Sequence, residues 1–294
     1  MKKTKKHELK RNIFQLAATV FLNGYAAGFA KGKIFTGASK RICVPVLNCY
    51  SCPGALGACP IGSLQSLMSG RKYRISFYVL GLLMMFGIIM GRFVCGFLCP
   101  FGFVQDLLHK IPVPKLKVPK IIDKPLRFLK YAVLIFLVLL LPALFRDEFG
   151  LGTTYFCKYL CPAGTLEAGL PLLAANEPLR FSIGNMFYIK LSVLIGIILL
   201  SVVIYRPFCK YLCPLGAFYA VFNKYSVFRL EIDKEKCTGC GKCEHVCNMN
   251  VEVTKNINST ECIRCGKCAV ACPQGAIGHF RIKHEKPRGE KAKY

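Results

Sequence analysis

Four Cys-Pro-x-Gly turns in residues 1–228 constrain this chain more than any other feature: Cys59-Pro60-Ile61-Gly62, Cys99-Pro100-Phe101-Gly102, Cys161-Pro162-Ala163-Gly164 and Cys213-Pro214-Leu215-Gly216. Each precedes a short, mostly apolar stretch, and a long apolar run separates successive turns. Three turns carry a further cysteine four residues upstream, at Cys95, Cys157 and Cys209. The first instead has Cys43, Cys49 and Cys52 before it. Proline fits the first turn of a helix, where its missing N–H costs nothing, so each turn reads as a helix start. The positive end of that helix then faces the preceding sulfurs. Cysteines at i and i+4 share one face of a helical turn, yet they supply only half of a four-ligand site. Two turns on the same side of the molecule would complete it.

The apolar runs have membrane dimensions. Residues 12–30, 75–91, 126–145 and 186–205 each match the roughly 17–25 residues of a transmembrane helix. A chain 53% hydrophobic with a formal net charge of +26 is no ordinary soluble domain. Apolar spans joined by basic loops explain both values. The first run is the weakest, since it carries Gln15 and Asn23. Its "MKKTKKHELKR" start, with Gly28 and Ala30, also fits a signal peptide. A retained helix is favoured because no polar mature start follows. Lys and Arg number six, eight and sixteen in residues 1–11, 92–130 and 206–294, against seven and three in 31–74 and 146–180. The positive-inside bias then predicts both termini in the cytoplasm of a multi-pass protein of the cell membrane. Lys117 and Tyr294 are expected inside and Glu148 outside. Successive turns alternate between the two faces, as in inverted-topology repeats. The short helices after the turns read as re-entrant elements, tolerated where protein buries their backbone.

After Glu231 the hydropathy falls and two runs of C-x₂-C-x₂-C-x₃-C appear: Cys237, Cys240, Cys243, Cys247 and Cys262, Cys265, Cys268, Cys272. This spacing is that of bacterial two-cluster ferredoxins, in which three thiolates hold one cubane and the fourth ligates the other. One [4Fe-4S] cluster is therefore expected on Cys237, Cys240, Cys243 and Cys272, and a second on Cys262, Cys265, Cys268 and Cys247. Pro273 follows the last cysteine as the run requires, whereas Asn248 stands after Cys247. Structural zinc, with four ligands per ion, is the weaker reading of the paired triplet-plus-one spacing.

Topology suggests how the membrane cysteines pair. Inside, Cys95 and Cys99 would meet Cys209 and Cys213. Outside, Cys157 and Cys161 would meet two of the first four cysteines, with Cys52 and Cys59 as the choice. One or two more clusters would result. Cys43 and Cys49 are left as additional ligands or a disulfide, and Cu(I) or zinc on these soft thiolates is a competing reading. Lys158 and Lys210 would offset cluster charge or, with Tyr159 and Tyr211, anchor at the interface. His109, after an inner turn, is weighed as a quinone contact, but a loop histidine beside the linker "KIPVPKLKVPK" is favoured. The linker and the tail "RIKHEKPRGEKAKY" suit anionic lipid or an acidic donor; no nucleic-acid partner is expected. No Cys-x-x-Cys-His, Walker loop, dinucleotide fingerprint or Ser–His–Asp set is present.

The expected fold is mainly α. A polytopic membrane bundle of about four helices with re-entrant turns (residues 1–228) precedes a small α+β dicluster ferredoxin domain (229–281) and a basic tail (282–294). "GRFVCGFLCPFG" and "YRPFCKYLCPLG" followed by a dicluster ferredoxin resemble the membrane polyferredoxin family of NapH and NosR C-terminal type, over roughly residues 75–280. The resemblance implies an electron carrier between the quinone pool, or a cytoplasmic ferredoxin- or flavodoxin-type donor, and an outer flavin, haem or metal enzyme. A quinol dehydrogenase subunit lies within that range. A related branch is tied to copper oxidase maturation, so a metal-handling or assembly factor is the alternative, and a membrane redox sensor ranks last.

Overall fold

A computed structural model describes residues 2–70, 77–116, 118–145 and 152–278. The basic tail with Tyr294, the positions Lys117 and Glu148, the start of the second expected span and residues 279–281 lie outside the described residues.

The chain is mainly helical, and the four expected spans are reshaped. The first helix, Lys2–Leu22, begins ten residues earlier than its apolar run because its charged half finds partners. Glu8 pairs with Lys267, and Arg11 with Asp106. It stops at Leu22, and a separate short helix, Ala26–Lys31, follows. The second span is the 14-residue helix Phe77–Met90, shorter than the roughly 20 residues that cross a bilayer. The third and fourth are Lys120–Leu144, with 25 residues, and Asn185–Val203, with 19. Among the described residues these two, not four, are long and apolar enough to cross a membrane. Their outer faces leave Ile121, Phe128, Phe136, Leu199 and Leu200 exposed, an apolar band too large for an ordinary soluble surface.

Three helices join opposite ends of the molecule. Lys120 reaches Glu252 of the tail at one end of the third long helix. Val203 accepts from Leu116 at the tail end of the fourth, while its Lys190 lines a cavity at the far end. Leu22, closing the first helix, accepts from Leu56 at the far end, with Glu8 on the tail. The 42–59 loop is held there by a parallel bridge between Cys43 and Ala58.

The tail forms its own small core of Leu230, Met249, Val251, Val253, Ile257, Ile263 and Ile277. Strands Glu231–Ile232 and Ile277–Gly278 pair antiparallel and tie its two ends. It is docked rather than dangling. Glu261 sits between Arg92 and Lys130, all three almost fully buried. Arg264 donates to the carbonyls of Met90, Asn223 and Phe228. The 92–97 turn lies so close that a Cβ on Gly96 would stand 2.4 Å from the Ile263 carbonyl oxygen.

Candidate metal centres

Each Cys-Pro-x-Gly turn builds the same local device. The residue before proline is pushed out of the helical region, and Cys59, Cys99, Cys161 and Cys213 are all extended N-caps with ψ between 105° and 125°. Proline occupies the first helical position, and the glycine lies at the third. In three turns the cysteine sulfur accepts the glycine N–H, at 3.4 Å from Gly102, 3.4 Å from Gly164 and 3.3 Å from Gly216. A thiolate so placed meets the positive end of the helix. Glycine also leaves room: a Cβ at Gly102 would come 3.2 Å from the Cys95 carbonyl, and one at Gly216 3.3 Å from that of Cys209.

Near the tail, Cys95, Cys99, Cys209 and Cys213 come together, all four within electrostatic reach of one another and all buried. This is the expected inner set, here the proximal site. Gln105 Nε2 donates to Cys209 Sγ at 3.0 Å. The two halves are cross-clamped by arginines that sequence reasoning passed over. Arg92 donates to the Cys209 carbonyl at 3.1 Å, and Arg206 to the Cys95 carbonyl at 2.6 Å. Each stands three residues before the first cysteine of its own turn, and that repeated offset was the available signal. Arg206 also pairs with Asp106, which receives Arg11 and Gln15 as well. Burial alone would raise the Asp106 carboxyl. The Arg206 and Arg11 guanidiniums outweigh it and hold it at about 2.

At the far end a cavity of about 320 Å³ is lined by Cys49, Cys59, Cys157 and Cys161. This distal site takes Cys49 where Cys52 was expected. The Cys52 thiol instead points at Asn23 Oδ1, 3.5 Å away, and Cys43 at Ser63 Oγ, 3.5 Å away. Neither is disulfide-bonded in this structure, nor is Cys49. The reason is the loop: Cys49 N–H donates to Glu167 at 2.8 Å, which draws that stretch over the cavity. Burial pushes the Glu167 carboxyl up to about 8, and the Cys49 N–H offsets it only in part. Gln65 Nε2 lies 3.6 Å from Cys157 Sγ. Asn48 lines the same cavity, its side chain fully buried with both polar atoms unpartnered. A buried amide without a partner is costly, and a sulfur-rich group in the cavity would supply one.

In the tail, Cys237, Cys240, Cys243 and Cys272 surround one pocket. Cys247, Cys262, Cys265 and Cys268 form a second group of mutual neighbours. The fourth cysteine of each run thus sits with the other triplet, as the spacing predicts. The second group faces the membrane domain, because Ile263 follows Cys262 and abuts Gly96 beside Cys95. Among the described residues no three Cys, His, Asp or Glu side chains close on a point as a single ion requires.

The lysines divide. Lys158 is exposed and lies over the Tyr159 ring, 5.5 Å from its centre, the interfacial arrangement. Lys210 is buried against Asp123, which also binds Arg127 and the Tyr211 hydroxyl. Lys210 thus shares Asp123 with Arg127, whereas Arg92 and Arg206 are the cations that hydrogen-bond the proximal turns. His109 is half-buried, its Nδ1 3.3 Å from the Ser201 carbonyl and its ring against Tyr205.

Comparison with known proteins points the same way. One 4Fe-4S binding domain family matches residues 73–119, 130–172 and 187–233. A second, also described as a 4Fe-4S binding domain, matches 230–249 and 255–278. An uncharacterized protein of Methanocaldococcus jannaschii is 31% identical over 198 residues, 65% of this chain and 72% of that protein. YccM of Escherichia coli, named for electron transport, is 27% identical over 258 residues, 81% and 66% of the two chains. The methylamine utilization ferredoxin-type protein MauN of Paracoccus denitrificans is 29% identical over 245 residues, 81% and 75%. No solved structure matches the chain. Two kinds of 4Fe-4S domain in tandem, on a chain with two membrane-grade helices, make this protein a member of the membrane polyferredoxin-like family of iron–sulfur electron-transport proteins.

Proposed function

We propose that the chain holds four [4Fe-4S] clusters in line and carries single electrons between the docked ferredoxin tail and the distal face of a membrane. The observation that carries this reading is the order of the sites: exposed tail group, docked tail group, proximal site, distal site. Bound there, a cubane supplies reversible one-electron storage with little rearrangement. The protein supplies the rest. Six sulfurs come from the two tail triplets, two from Cys247 and Cys272, four from the N-caps of re-entrant helices, and four from Cys49, Cys95, Cys157 and Cys209. Arg92 and Arg206 fix the two proximal turns against each other and bring positive charge to a strongly anionic centre. Burial of all four proximal cysteines, and of Cys59 and Cys161 at the distal site, limits water at those sulfurs. A hydrocarbon core of about 30 Å is too wide for one electron step, and sites that dip inward from both ends divide that distance.

The termini face the cytoplasm in this reading, with a ferredoxin- or flavodoxin-type donor or the quinone pool on the tail side. A flavin, haem or metal enzyme serves the distal side. A mononuclear metal-handling role fits less well with two 4Fe-4S binding domain families matched along the chain.

Anaerobic purification tests it. Iron and acid-labile sulfide should each approach about sixteen per chain, four per cubane. Cys99→Ala and Cys213→Ala should erase one and the same EPR signal. Cys49→Ala and Cys161→Ala should erase another, while Cys52→Ala leaves it. Unchanged iron in all four site variants would leave only a ferredoxin attached to a membrane anchor.

A further inference from the structure

Four residues occupy the same place in the four turns, six positions after the Cys-Pro cysteine: Gln65, Gln105, Glu167 and Tyr219. Each reaches across to another part of the sites. Gln65 and Gln105 point at the sulfurs of Cys157 and Cys209. Glu167 accepts the Cys49 N–H. Tyr219 alone reaches from one site to the other. It is fully buried, packed in one core with Cys59, Cys95, Cys99, Cys161, Cys209 and Cys213. Its phenol is within electrostatic reach of Cys95, Cys99 and Cys213 on the proximal side and of Cys59 on the distal side.

The hydroxyl completes a bonded route. Tyr219 Oη donates to the Pro45 carbonyl at 2.9 Å. Pro45 follows Val44, whose N–H donates to the Ala58 carbonyl at 3.0 Å. Ala58 is bonded directly to Cys59, a distal ligand. At its other end Tyr219 belongs to the helix Pro214–Phe222, capped by Cys213, a proximal ligand. Two hydrogen bonds, the Val44–Pro45 peptide and the helix segment from Cys213 to Tyr219 therefore join the two sets of thiols through this phenol. Electronic coupling decays far more slowly along bonds and hydrogen bonds than across empty packing gaps.

We propose that the Tyr219 phenol, through its hydrogen bond to Pro45, is the electronic link between the proximal and distal sites. The proposal rests on the reading of both as cluster sites. One electron leaves the reduced proximal site and enters the oxidised distal site. No bond forms or breaks, and the phenol keeps its proton. The electron enters from a low-potential one-electron reductant at the tail and leaves to an oxidant at the distal face.

The test uses the full chain in proteoliposomes with the tail outward, reduced by membrane-impermeant dithionite and frozen at intervals for EPR. Tyr219→Phe keeps the ring and removes the hydrogen bond; Tyr219→Leu removes both. Iron content, the two midpoint potentials and the rise of the proximal signal should match the parent. The distal signal should rise several-fold more slowly in Tyr219→Phe and more slowly still in Tyr219→Leu. A distal rise in Tyr219→Phe equal to the parent, with full iron and unchanged potentials, overturns the link. If Tyr219→Leu loses iron, the Phe variant decides alone. Loss of the proposed function reads differently, because the parent itself would then lack a proximal or distal signal.

Discussion

Asp106, Asp123 and Glu261 each lie buried between two cations: Arg11 and Arg206, Arg127 and Lys210, Arg92 and Lys130. Each group therefore carries one surplus positive charge beside the proximal site. Removing the shared carboxylate leaves two buried cations uncompensated, a loss of about 3–5 kcal/mol. Asp106→Asn should cost that much in thermal unfolding. Arg206→Gln, which leaves Asp106 paired with Arg11, should cost less and dim the proximal EPR signal. The pH dependence has a definite sign. A carboxyl held at about 2 against about 3.9 when unfolded contributes stability that is fully present above the unfolded value. That contribution is lost as pH falls toward 2. The stability gap between the parent and Asp106→Asn should hold from pH 7 to about 5 and narrow below about 4. The importance of these arginines was hidden in sequence because each one's partner carbonyl lies on the other turn, more than a hundred residues away.

The docking element depends on one absent side chain. Gly96 faces the Ile263 carbonyl at a distance that no Cβ can share, and overpacking of this kind costs about 1–3 kcal/mol. Gly96→Val should loosen the tail, exposing the 226–230 linker to protease while the tail keeps its own iron. Protection equal to the parent's would show that Glu261 and Arg264 dock the tail unaided. The tail has a separate dependence, because a core of seven aliphatic or Met side chains is small. Ligand bonds supply the folding free energy that such a domain lacks. Expressed alone, residues 229–281 should fold only with iron and sulfide, as circular dichroism and colour would report. The element-level reading from sequence was strongest in the tail and the turns, where spacing is local. It was weakest for the first span, which tertiary contacts at Glu8 and Arg11 extended into its charged half.

At the scale of the whole molecule, the tail end and the distal end should lie on opposite sides of a bilayer. Reporters fused after Lys110 and after Glu177 should give opposite signals, cytoplasmic for the first and external for the second. The same signal from both would remove the membrane crossing by Lys120–Leu144, and with it the alternation of the turns. Among the described residues only two helices are both long and apolar enough to cross a membrane, and the shorter Phe77–Met90 helix is fastened to its neighbours. Phe222 against Gly87 and the Val227 and Phe228 bonds to Ile88 and Ile89 do this at its tail end.

What the sequence determined by itself was local. Spacing within a run sorted the eight tail cysteines into the two groups that lie together. Proline after cysteine dictated four extended N-caps, because the pyrrolidine ring excludes the helical conformation from its predecessor. What only the tertiary structure decided was longer in range. Cys49 rather than Cys52 lines the distal cavity because Glu167, far along the chain, holds the Cys49 N–H. Arg92 and Arg206 serve each other's turns rather than their own. Tyr219 reaches both sites because its helix packs beneath the 42–59 loop. Ligand spacing is written in covalent geometry, whereas partners separated by a hundred residues are chosen by packing, which no local motif records.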